Sequence, residues 1–119
     1  MTLRSPQRRG QRVAPTASGG EWELRFATGD AADGWEQLCA SAPGPLKTSW
    51  ERLRADPRRV DHRQHRLRDQ LSSRRVGDRD LEQRQYEVTG AGRVWYCPDD
   101  AAHTVWLVDA MPGHPPRTG

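Results

Sequence analysis

A chain of 119 residues with 34% hydrophobic residues, 29% charged residues and a mean hydropathy of −0.98 supports one modest core, and two independent cores would be undersized. The net charge of +3 at pH 7 says little about partners, but it is unevenly spread: residues 58–85 hold nine arginines against five acids, residues 1–20 hold four arginines and no acid, and the rest is net acidic. An Arg-dense middle inside an otherwise acidic domain is the pattern of an anion-binding surface, and interleaved Asp61, Asp69 and Asp78 leave a salt-bridged, solvated surface as the plain alternative. Five tryptophans each bring a large apolar area, so the core is expected to be aromatic-rich.

Cys39 and Cys97 belong to no CxxC pair and to no Cys/His cluster with zinc spacing, so both read as reduced thiols and no metal is expected. The N-terminus lacks an apolar signal region and no apolar run is long enough to span a bilayer, which makes a cytoplasmic protein without a membrane partner the expectation. Phosphate-loop glycines, HExxH and a local Ser or Cys nucleophile motif are absent too, so no cofactor is expected.

Residues 1–20 combine Arg, Gln, Ser, Gly and Pro with almost no large apolar side chain, the composition of a disordered basic tail ahead of one domain over residues 21–119. From Glu21 the pattern changes: Trp22, Leu24 and Phe26 alternate with Glu23 and Arg25, the period of a half-buried strand. Asp30 is the expected N-cap of a first helix, with Trp35, Leu38, Cys39 and Ala42 at helical spacing until Pro43 and Gly44 break it. Pro45 suits the first turn of a second helix with Leu46, Trp50 and Leu53 on one face, ended by Asp56 and Pro57. After the Arg58–Arg68 stretch a strand is expected from about Leu71 to Val76, turning at Gly77 and Asp78 into another from Leu81 to Val88. Thr89 to Gly92 make a hairpin turn into Arg93–Cys97, and Pro98, Asp99 and Asp100 turn again into Thr104–Val108, apolar on both faces as a central strand is. The order predicts an α+β domain, a helical hairpin packed on one face of a twisted, mainly antiparallel sheet.

This layout, with the Asp56-Pro57 end of the hairpin, the basic run Arg63-Gln64-His65-Arg66-Leu67-Arg68, the stretch Tyr86 to Tyr96 and the closing Val105-Trp106-Leu107 followed by Gly113-His114-Pro115, resembles the RelE/ParE toxin superfamily, in particular its actinobacterial RelE-like members. The resemblance covers most of residues 21–119 and implies a β-α-α-β-β-β fold and a toxin of a type II toxin–antitoxin pair. It implies as partners a cognate antitoxin, the ribosome and mRNA, which a RelE-like toxin cleaves without metal through attack of a ribose 2′-OH. Two positions depart from the family: Asp69 stands where many relatives carry glycine, and Lys47, the one lysine, lies on a helix, so the lysines of RelE-type nucleases have no counterpart. That departure gives weight to a ParE-like, non-catalytic inhibitor of a topoisomerase, or to an inactive toxin-fold interaction module.

Metal-free RNA cleavage needs proton transfer at the 2′-OH and the leaving 5′-oxygen, with fixed cations for the charge on phosphorus. His62, His65 and His114 are the candidate proton-transfer residues, and His103 reads as surface. The expected catalytic set is His65, Arg68, Arg93 and His114, and the expected RNA contacts are Arg63, Arg66, Arg74, Arg75, Arg84, Tyr96 and Arg117. Tyr86 or Tyr96 is placed either to stack on a base or as a core residue. The resemblance implies that the region of His65 and Arg68 and that of His114 and Arg117 converge on one concave side.

Overall fold

The alternation that predicts the first strand gives β1 (Glu23–Phe26) in the computed structural model, which describes residues 8–13 and 15–113. Leu24 and Phe26 turn into the core and Trp22 packs against its margin. Helix α1 (Gly29–Ser41) starts earlier than expected: Thr28, not Asp30, is the N-cap, its Oγ1 accepting the Ala31 N–H at 3.0 Å and donating to the Val108 carbonyl at 2.9 Å. Asp30 lies in the first turn, where a negative charge suits the helix dipole. The inward stripe is Ala31, Ala32, Gly34, Trp35 and Leu38, whereas Cys39 is exposed. At Gly34 a Cβ would meet the Ala110 carbonyl oxygen at 1.8 Å, so the missing side chain lets the helix backbone rest on the sheet.

Helix α2 (Pro43–Ala55) begins at Pro43 and stops before Asp56 and Pro57, burying Leu46, Ser49, Leu53 and Arg54. The chain continues through β2 (Gln64–Arg66), a 3-10 turn (Asp69–Ser72), β3 (Ser73–Val76), β4 (Arg79–Glu82), β5 (Arg84–Glu87), β6 (Arg93–Asp99) and β7 (Thr104–Met111). Five strands form one sheet in the order β1-β7-β6-β5-β2, in which β1 runs parallel to β7 and the other neighbours are antiparallel. β3 and β4 form a separate two-stranded ribbon. The domain is α+β, with the helical hairpin over one face of the mixed sheet and β7 central, as the sequence implies.

Three local differences from the expectation have physical causes. Pro98 and Asp99 continue β6, opposite Val105 and Thr104, so the turn begins two residues later. The strand expected over Leu81–Val88 divides at Gln83: its N–H donates to the Ser72 carbonyl at 2.9 Å, its carbonyl accepts the Leu67 N–H at 3.0 Å, and its side chain donates to the Leu71 carbonyl at 2.8 Å. The two backbone bonds continue the β3–β4 register on one side and the β2–β5 register on the other, so Gln83 is the point at which the chain passes from the ribbon to the sheet. β2, unforeseen within the Arg/His stretch, is an edge strand whose inward residue is Gln64.

Part of the stretch that composition assigns to a disordered tail runs beside β1. The Val13 N–H donates to the Leu24 carbonyl at 2.8 Å, the Phe26 N–H donates to the Gln11 carbonyl at 3.0 Å, and Val13 is buried. Residues 15–20 are held by Arg54, which donates to the carbonyls of Pro15 and Thr16 at 3.0 Å each and to Glu21 Oε1 at 2.9 Å, with its guanidinium 4.4 Å from the Trp50 ring centre. A ladder plus one buried valine is enough to order a segment whose composition looks solvated. Replacing Arg54 by Met is expected to cost about 2–3 kcal/mol in urea unfolding, because it removes charged hydrogen bonds and leaves two carbonyls short of a donor. The same variant should lose amide-exchange protection at Glu21 and Trp22 before β5–β7, and uniform loss of protection would contradict the assignment.

Candidate functional site

Register divides the sheet side chains into two sets. Leu24, Phe26, Val105, Leu107, Val94, Tyr96, Tyr86, Gln64 and Arg84 turn toward the helices, because each opposes another of the set across the strands. The alternate residues turn away. His65, Gln85, Trp95 and Asp109 lie opposite one another across β2, β5, β6 and β7, and all four are partly exposed. With strands about 4.8 Å apart, this row is roughly 14 Å long. Trp95 Nε1 donates to Gln85 Oε1 at 2.9 Å, which fixes the indole on the open face. His65 Nδ1 lies 3.1 Å from the Arg66 carbonyl, so Nε2 is the ring nitrogen left for other partners.

The ribbon folds over one end of that open face. Arg79 pairs with Asp99, whose side chain is 1% exposed, and the same carboxylate accepts Trp106 Nε1 at 3.2 Å and the Ala102 N–H at 3.3 Å. Burial by itself raises the Asp99 pKa, but the bonds from Arg79, Trp106 and Ala102 outweigh it and hold the carboxyl below the ordinary aspartate range. Burial also pushes the Cys97 thiol beneath the ribbon up to about 12, with Arg74 opposing the shift. Cys97 is therefore a packing residue and no nucleophile near neutral pH.

The expected site residues separate among these surfaces. His65 and Arg93 are on the open face, but the Arg93 guanidinium closes the β5–β6 turn, donating to the carbonyls of Thr89 at 2.8 Å and Gly92 at 3.0 Å and lying 3.3 Å from the Glu87 carboxylate. Arg68 is exposed just before the 3-10 turn, Arg74 lies on β3 close enough to act on the Cys97 thiol, and Arg75 pairs with Asp80 on the ribbon at 3.4 Å. Arg63 donates to the Glu87 carbonyl at 3.1 Å, and Arg66 lies 3.7 Å from Glu82. His114 and Arg117 lie outside the described residues.

Two expected RNA contacts are corrected outright. Arg84 and Tyr96 are 4% and 0% exposed and turn toward the helices, because alternation along β6 gives the open face to Trp95 and the covered one to Tyr96. The Tyr96 hydroxyl donates to the Pro57 carbonyl at 2.9 Å and accepts from Gln64 Nε2 at 3.1 Å and Arg84 Nε at 3.3 Å. Burial pushes the phenol pKa up against the opposing bonds from Arg84 and Gln64. Burial also disfavours charge on Arg84, and its bonds to Glu82 and Tyr96 more than restore it. Among the described residues the expected cations form no single basic hollow.

Trp95 is the residue that the site expectation missed, although it shares a strand face with Arg93 in the sequence alternation. A partly exposed indole on an open sheet face, with an amide, an imidazole and a carboxylate in line, offers a stacking platform with polar edges. Among the described residues no group of three or more His, Cys, Asp or Glu is placed to hold a metal ion, and no helix is long and apolar enough to cross a membrane. Comparison with protein-family models, with curated proteins and with solved structures finds no match to the chain.

Replacing Tyr96 by Phe is expected to cost about 1–3 kcal/mol of stability in urea unfolding, since Gln64, Arg84 and the Pro57 carbonyl lose a shared partner, and an unchanged midpoint would contradict that role. For Asp99 the folded pKa is depressed, so its contribution is present above the ordinary aspartate pKa and disappears as the pH falls through the folded value. Thermal midpoints should therefore fall below about pH 4 in the parent and fall less steeply in Asp99→Asn, and equal slopes would exclude the Arg79–Asp99 link as a source of acid sensitivity.

Proposed function

We propose that this protein is a toxin of the RelE/ParE kind that engages RNA on the open face of its sheet and cleaves mRNA at the ribosome. The observation that carries the reading is the row His65–Gln85–Trp95–Asp109 on the sheet face away from the helices. An unpaired base stacks on Trp95, its edge meets Gln85 and Asp109, and His65 Nε2 is the proton-transfer group toward the ribose, with exposed Arg68 and half-buried Arg74 as phosphate contacts. Two further features support the resemblance. The helical hairpin sits on one face of a sheet whose first and last strands are neighbours. Asp69, at the position where relatives carry glycine, has φ of +55°, the left-handed region that favours glycine and that aspartate tolerates. Its place of action is the cytoplasm, and a cognate antitoxin is the expected protein partner.

A second reading, a ParE-like inhibitor of a topoisomerase that catalyses nothing, is favoured by the engagement of Arg63, Arg66, Arg84 and Arg93 with Glu82 and Glu87 inside the chain. One experiment separates the two. Induced in a bacterium, the chain should arrest growth and leave mRNA cut at ribosomes, and Trp95→Ala should weaken RNA binding by about 1–3 kcal/mol. Intact mRNA with inhibited DNA supercoiling selects the second reading, and normal growth with folded, soluble protein ends both.

A further inference from the structure

We infer that the cleft between α2 and the β5–β6 hairpin is a separate binding site for an organic phosphomonoester of about nucleoside size. The cleft lies on the helix side of the sheet, away from the Trp95 row, and encloses about 450 Å³. That is within the roughly 300–1,000 Å³ of small-molecule sites and more than an inorganic phosphate fills. Arg52 approaches from the last turn of α2, while Arg63, Tyr86 and Thr89 approach from the sheet. Among the described residues no carboxylate lines the cleft.

Donor by donor, the lining is arranged for an anion. The Arg52 guanidinium has no hydrogen-bond or ion-pair partner among the described residues. The Arg63 side chain is 42% exposed and commits one nitrogen to the Glu87 carbonyl at 3.1 Å, with the Glu87 carboxylate 3.9 Å away, so N–H groups of its fork stay available. Thr89 Oγ1 accepts the backbone N–H groups of Gly92 at 2.7 Å and Ala91 at 3.3 Å, which leaves its own hydrogen to donate elsewhere.

Tyr86 is the deciding residue. It is 2% exposed, and its hydroxyl bonds to no described residue and is not sealed off within the protein; it lines the cleft. Where the Tyr96 hydroxyl has three protein partners, the Tyr86 hydroxyl opens onto the cleft and can donate to a ligand that enters. Two guanidinium forks and two hydroxyl donors match phosphate oxygens, and Pro45 and Val88 supply apolar wall for the body that carries the phosphate.

Titration calorimetry on the full chain with AMP, CMP, adenosine and inorganic phosphate tests this. Both nucleotides should bind, adenosine should not, and inorganic phosphate should bind about tenfold more weakly, the loss of apolar and polar contacts to the nucleoside. Arg52→Gln, on an exposed helix surface, should lower nucleotide affinity by about tenfold to a hundredfold with an unchanged thermal midpoint, and Tyr86→Phe by about tenfold. The same titrations on Trp95→Ala, which lacks the base platform of the open face, isolate this cleft: nucleotide should still bind there, and Arg52→Gln added to that variant should weaken it. Absence of nucleotide binding at millimolar concentration, equal affinity for inorganic phosphate, parent-like binding by Arg52→Gln, or loss of binding in Trp95→Ala would each overturn the assignment.

Discussion

Beneath the helices, the phenol oxygen of Tyr96 is bonded to three parts of the chain that are distant in sequence. It donates to the carbonyl of Pro57, where α2 has ended, and it accepts from Gln64 on β2 and Arg84 on β5. Arg84 in turn donates to Glu82 at 2.8 Å and to the carbonyls of Arg58 and Arg59 at 3.2 and 2.6 Å. The loop from α2 to the edge strand is thereby fastened to the sheet through polar groups that have almost no access to water. In a low-dielectric interior such a network stabilises most when its members are satisfied, and the Tyr96 hydroxyl has three partners here, while Gln64 Oε1 is buried with none among the described residues. Without it, the edge strand would have only three residues of ladder to hold it.

The same network explains why an arginine-rich segment does not become a uniformly positive surface. Arg58 and Arg59 pair with Asp100 and Asp61 at 2.7 and 2.9 Å, Arg84 is consumed internally, and Glu82 stands among Arg58, Arg66 and Arg84. Many of these ion pairs are exposed, contribute little to stability and are weakened by salt. Their effect is on the surface charge: they leave few arginines, exposed Arg68 among them, outside such pairs.

The helices, the central strand and the ribbon turn were legible because each is written in local chemistry: apolar spacing along α1 and α2, the apolar run of β7, and Gly77, whose φ of +63° meets the turn requirement. Trp95 and Tyr96 show where legibility ended. Alternation separates them onto opposite faces, but which face the helices cover depends on the register with β5 and β7, and register is a property of the assembled sheet. Gln83 and Gln64 were invisible for a similar reason, since a buried glutamine is stabilised by carbonyls and a phenol contributed from elsewhere in the chain. Val13 failed the compositional test because pairing with β1, not hydrophobicity, orders its neighbours. The pairing of arginines with carboxylates, which decides which cations face outward, likewise follows from the fold and has no signature in the count of charges.

The parallel pairing of β1 with β7 joins Glu23 to Thr104 and Phe26 to Leu107. On a ribosome, β1 emerges long before its main partner, and both helices are complete while one side of that strand is still without its ladder. The short pairing with residues 11–13 is local and gives β1 a provisional neighbour during that wait. Closure of the sheet is therefore the late step, governed by a long loop whose entropy is lost all at once, and the chain should fold more slowly than its length suggests.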